Sequence, residues 1–260
     1  MDYNCKYPVV LVHGMMLKDF KLYRAFRKIK DVLKDNGVHV YVSNQDGIGS
    51  IENNAKQLKD EINEILKKEN AEKVNIIAHS KGGIDSRYLI SMLDMEDKVA
   101  SLTTLSTPHH GSNMSRKLLT MPKWIASIIA FFTNTFYKIN GDEHPDIIRV
   151  GEQLTDTYMK EFNKKVINSN KVYYQSYSSD IAHKKSFVIF LPKEFSKYCE
   201  NESTDGIVSI SSSVWGDYKG NTDNDYDHAE MVGAYGSKKT LNEVSRFYLS
   251  IIKELKEKGF

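Results

Sequence analysis

The sequence predicts an α/β protein with a mostly parallel central sheet flanked by helices. Three observations predict it. Short β-branched runs alternate with helix-spaced segments through the first hundred residues, the pattern of parallel strands joined by helical crossovers. The strand-like runs are apolar at successive positions, as strands covered on both faces are. The chain, at 260 residues, is long enough to bury a core without help from a disulfide or metal.

Pro8 to Val12 is the first strand. Phe20 to Leu33 follows as a helix, with Leu22, Phe26, Ile29 and Leu33 at helical spacing, and it stops near Asn36-Gly37. Val38 to Val42 is the second strand. Ser50 is the N-cap of the next helix, with Glu52 in its first turn. That helix places Ile51, Ala55, Leu58, Ile62, Ile65 and Leu66 on one face. Val74 to Ala78 is the third strand, a helix starts near Gly82, and Val99 to Ser106 is the fourth strand. The alternation stops at about Thr107. Residues 112–145 hold no clear strand, only an apolar helix-like stretch around Trp124. Strand signals return at Lys171 to Tyr177 and at Gly206 to Ile210, and a last helix runs from about Lys239 to Lys256. No repeat or linker divides the chain. One domain over 1–260, with a helical insertion at 112–150, is the simplest organisation.

Composition narrows the function. Thirty-six Lys and Arg face 34 Asp and Glu, a balance that gives no reason to expect nucleic acid. Runs such as Lys67-Lys68-Glu69 read as solvated helix faces. The stretch from Trp124 to Phe136 falls short of the ~20 apolar residues a membrane span needs. Two cysteines, Cys5 and Cys199, form no CxxC, so a zinc-thiolate site is not expected, and spacing does not decide whether they pair. No apolar signal core precedes the first strand. The expected location is cytoplasmic as the sequence stands, or secreted if a leader was removed. Nothing bears on oligomeric state.

Four motifs carry chemistry. In Ala78-His79-Ser80-Lys81-Gly82-Gly83 a serine stands between a buried strand and a helix, flanked two positions away by Ala78 and Gly82. A serine on so sharp a turn presents its hydroxyl at the sheet edge, and the helix N-terminus favours developing negative charge. In Val12-His13-Gly14-Met15 a strand ends in a turn where the Met15 N–H can face that serine. The second donor of such an oxyanion hole is the N–H of Lys81. Because both donors are backbone groups, the Met15 and Lys81 side chains are expected to be poorly constrained. His13 is read as a structural hydrogen-bonder. Thr204-Asp205-Gly206 supplies an acid, and Asp227-His228-Ala229 supplies a base after it. The order Ser80, Asp205, His228 is that of a strand–serine–helix hydrolase.

With Thr107-Pro108-His109-His110-Gly111-Ser112 added to these motifs, the sequence resembles bacterial triacylglycerol lipases of the α/β-hydrolase superfamily. The resemblance spans residues 8 to about 235. It implies Ser80, Asp205 and His228 as catalytic residues, Met15 and Lys81 as oxyanion-hole donors, and the insertion as a lid. The apolar stripe Trp124, Ile125, Ile128, Ile129, Phe132 and Phe136 suits such a cap. The alternative is an ordinary helix buried permanently over the sheet. Similar lipases often hold a structural calcium through a carboxylate two residues after the histidine, here Glu230. Asp223, Asp225 and Asp227 form an acidic loop nearby, but no second ligand is identified. No metal residue is therefore assigned and no cofactor is required. His79, His109 and His110 are expected to frame the pocket or bond to backbone. The implied function is a serine carboxylic-ester hydrolase acting on acylglycerols or long-chain esters, with an ester or lipid as substrate. A short-chain or polyester esterase, an acyltransferase, a thioesterase and a non-enzymatic lipid-binding relative are the alternatives.

Overall fold

The computed structural model describes residues 3–16, 25–112, 115, 119–181 and 203–260. Six parallel strands form one sheet in the order β2-β1-β3-β4-β5-β6. The strands are β1 (Val9–Val12), β2 (Val40–Val42), β3 (Val74–His79), β4 (Val99–Leu105), β5 (Tyr173–Ser178) and β6 (Asp217–Asn221). The chain moves outward from β1 to β2, returns to lay β3 on the other side of β1, and then continues to β6. The strand order reverses between β1 and β3, and open α/β sheets place ligands at the carboxyl ends of the strands at such a reversal.

Side-chain alternation divides the core in two. Val9 and Leu11 face one side, against α1 (Arg27–Asp35) and the last helix, α8 (Lys238–Glu257). Val10 and Val12 face the other, against α2 (Ile51–Glu69) and α3 (Lys81–Met92). Residues of α2 such as Leu58 and Ile62 are wholly buried, each stabilising the fold by about 2 kcal/mol. Ser50 caps α2 by accepting from the Asn53 N–H, and Asn70 ends it in the left-handed region. The expected α2 face is the buried one.

Two expectations need revision. The β-branched run at 206–210 is a turn, not a strand. Its Ile207 and Val208 amides point into the Asp205 carboxylate, and a Thr204–Ser209 bridge closes it. Ser209 then caps the short helix α7 (Ile210–Ser213). The strand at this edge is the polar β6, whose side chains gave no alternation to read. Phe26 lies in a left-handed turn, so the first helix begins at Arg27; residues 20–24 lie outside the described residues.

Between β4 and β5 stand α4 (Lys123–Ile139), α5 (Ile147–Gln153) and α6 (Asp156–Lys165). Asp146 and Thr155 cap the latter two.

Candidate active site

Ser80 follows β3 with φ 54° and ψ −133°, a conformation that costs a non-glycine residue about 1–3 kcal/mol. Its surroundings hold it there. Its N–H donates to the Leu105 carbonyl at 3.0 Å. Gly14 and Gly82 make the close packing feasible. A Cβ on Gly14 would lie 2.6 Å from the Ser80 Cβ, and one on Gly82 would lie 2.5 Å from the His13 carbonyl. The end of β1 therefore abuts the turn that carries Ser80.

His228 Nε2 lies 2.9 Å from Ser80 Oγ, and His228 Nδ1 lies 2.6 Å from Asp205 Oδ2. With the proton on Nδ1, the ring donates to the carboxylate and accepts from the hydroxyl, the orientation a general base requires. Asp205 is fully buried. Burial works to raise its carboxyl, but the His228 charge and hydrogen bond, the Val208 amide and the Ser106 hydroxyl hold it below its ordinary value. The His228 N–H also donates to the Asp205 carbonyl at 3.0 Å, tying the two loops together. The histidine loop folds through a reciprocal cap. Asp227 Oδ1 accepts from the Ala229 and Glu230 amides, and Glu230 Oε2 accepts from the Asp227 amide.

That cap bears on calcium. The Glu230 carboxylate is used to fold the loop, and among the described residues no group of three or more His, Cys, Asp or Glu gathers as a metal site. Cys199 lies outside the described residues, so its pairing with Cys5 does too.

Met15 follows Gly14 in the loop after β1. The loop is held by Gln45 Nε2 donating to the His13 carbonyl and by the Met16 amide donating to the Gly47 carbonyl. His13 Nδ1 sits 2.9 Å from the Gly14 carbonyl, a structural hydrogen bond as expected. Lys81 opens α3 directly after Ser80. Its side chain is far from unconstrained: only 1% exposed, it pairs with Asp85 at 2.7 Å. Burial pushes the Asp85 carboxyl up to about 6 against the opposing pull of Lys81 and Asn54. The i,i+4 spacing of Lys81 and Asp85 could have suggested this pair.

The remaining histidines differ in role. The His79 ring lies 4.4 Å from that of His228, and burial, then the nearby His228, push it well below its ordinary value, so it is neutral packing. His109 stacks on Trp215 and lies 3.2 Å from Arg87, whose guanidinium covers the same indole at 3.6 Å. His110 tilts toward Trp215 from an exposed position. Arg87 and Ser106 had no distinguishing sequence signal. Ser106 has φ 45° and its hydroxyl lies 3.0 Å from Met231 Sδ.

The α4 stripe is not buried over the sheet. Trp124 and Phe132 are 68% exposed and Ile139 is 79% exposed, while Ala130 and Tyr137 turn inward. Among the described residues no helix is long and apolar enough to cross a membrane.

The family model of palmitoyl protein thioesterases matches residues 8–232. Triacylglycerol lipase 2 of Saccharomyces cerevisiae is 34% identical, covering 89% of this chain and 73% of its own length. A triacylglycerol lipase of Pseudomonas fragi is 26% identical over 98% of both chains. The Staphylococcus hyicus lipase structure superposes with a TM-score of 0.74 at 17% identity, covering 97% of this chain and 96% of that one.

Proposed function

The chain belongs to the palmitoyl protein thioesterase family, within the α/β-hydrolase fold, and from that premise we propose that it is a lipase acting through an acyl-enzyme on Ser80. It is a carboxylic ester hydrolase; its substrates in this proposal are acylglycerols and other long-chain esters.

The observation that carries the proposal is the unbroken relay from Asp205 through His228 to Ser80. His228 Nε2 takes the hydroxyl proton as Ser80 Oγ attacks the ester carbonyl. The Met15 and Lys81 amides receive the oxyanion, while buried Asp205 stabilises the imidazolium. The alcohol leaves with the proton from His228. Water, deprotonated by the same nitrogen, then attacks the acyl-enzyme and frees the acid and the serine. No step needs a cofactor.

We read residues 1–260 as one domain and 112–150 as its cap. The exposed apolar face of α4 supports contact with acyl chains or a lipid surface. The family model favours a second reading, an acyl thioesterase, which the same relay would serve.

One substrate series separates these. Wild type should hydrolyse p-nitrophenyl esters from butyrate to palmitate and emulsified triacylglycerol, while Ser80→Ala falls by at least about 10⁴-fold. Preference for a palmitoyl thioester over the matched oxygen ester would favour the thioesterase. Undiminished hydrolysis by Ser80→Ala would remove the nucleophile assignment.

A further inference from the structure

The base of the insertion is stitched to the loop after β2 by two buried carboxylates working in opposite directions. Asp142, 2% exposed, accepts from the Gly47 and Ile48 amides, each at 3.0 Å. Asp46, 1% exposed, accepts from the Glu143 amide at 2.8 Å and the His144 amide at 2.7 Å. A Gly49–Pro145 bridge and an Asp146 amide donating to the Ile48 carbonyl extend the seam. Each carboxylate thus satisfies two amides of the opposite segment, and these charge-assisted bonds are stronger than neutral ones.

The same loop holds both sides of the oxyanion hole. Toward Met15, Gln45 holds the His13 carbonyl and Gly47 accepts from the Met16 amide. Toward Lys81, Asn54 Nδ2 bridges the Asp46 carbonyl at 3.0 Å and the Asp85 carboxylate at 3.1 Å, and Asp85 holds Lys81. A third strut comes directly from α4. Its Tyr137, one of the two buried residues of that helix, donates to the Met16 carbonyl at 3.4 Å. Burial and the Asp142 charge push the Tyr137 hydroxyl up to about 12, so it stays a donor at neutral pH.

We propose that Tyr137, Asp142 and Asp46 are positioning residues for the oxyanion hole, coupling the base of the insertion to the placement of the Met15 and Lys81 amides. The proposal rests on the reading of Ser80 as nucleophile. None of the three is placed in contact with Ser80; they act through the backbone of residues 13–16 and 45–49. Loosening them displaces donors that stabilise the transition state, so it lowers kcat more than it raises KM.

The test uses the full chain with p-nitrophenyl butyrate in solution, where no lipid surface is present. Tyr137→Phe removes one hydroxyl; Asp142→Asn turns one acceptor into a donor facing an amide. The expected results are a kcat lower by about threefold and by about tenfold or more, with KM held within about twofold. Wild-type kcat in folded Tyr137→Phe and Asp142→Asn would overturn the proposal, as would a loss confined to KM. Should Asp142→Asn fail to fold, Tyr137→Phe decides alone by the same criterion. Ser80→Ala, run alongside, keeps the two readings apart. If it hydrolyses like wild type, the nucleophile assignment fails and this proposal with it.

Discussion

Ser80 holds a strained backbone, and its neighbours leave it little alternative. The Leu105 carbonyl fixes its amide, Gly14 presses against its Cβ, and Lys81 is anchored by Asp85 beneath it. A buried ion pair contributes little net stability, but loss of one partner strands a charge, so the pair fixes geometry more than it adds free energy. Asp205 makes a testable contribution of its own. Its folded-state pKa lies below the ordinary 3.8, so its ionised form stabilises the native state fully above that ordinary value. The contribution is lost as pH falls through the depressed folded value. The stability advantage of wild type over Asp205→Asn, measured by denaturant unfolding, should therefore shrink progressively as the pH is lowered below the ordinary carboxyl value. An advantage that grew on acidification would mean a raised carboxyl instead.

Among the elements, the outward face of α4 makes the sharpest prediction. Trp124, Phe131 and Phe132 are each about two-thirds exposed, so they contribute little to folding. Replacing Phe131 and Phe132 together by Ser should leave the melting temperature and the hydrolysis of soluble butyrate unchanged while lowering activity on emulsified triacylglycerol several-fold. A fall in melting temperature would instead assign the face to folding. Legibility also divided by element. Buried β1, β3 and β4 were readable because most positions are apolar or small and all are covered on both faces. The edge strand β6 was not, because Asp-Tyr-Lys-Gly-Asn packs only partly and pairs through its backbone. The run at 207–208 misled because its amides serve a carboxylate instead of a neighbouring strand. Helix α2 was readable in both cap and face, since Ser50 and the apolar period agree.

Across the whole molecule, the topology turns distant residues into one site. The reversal between β1 and β3 brings Gly14 against Ser80. The loops after β5 and β6 carry Asp205 and His228 to the same edge. The residues of this relay were legible because each sits in a motif whose chemistry is local: a serine on a strand–helix turn, an Asp-Gly turn, a histidine before the last helix. What supports them was not. Asp46, Asn54, Arg87 and Tyr137 act through partners 8 to 121 positions away, and no local pattern announces such contacts. The central claim is that Ser80 is the residue made nucleophilic by this convergence. Its most direct test is to react the protein with a fluorophosphonate and map the adduct by peptide mass spectrometry. One phosphonyl group on the peptide containing Ser80, absent from His228→Ala under the same conditions, is the predicted result. An adduct on another serine, or equal labelling without the imidazole, would contradict it.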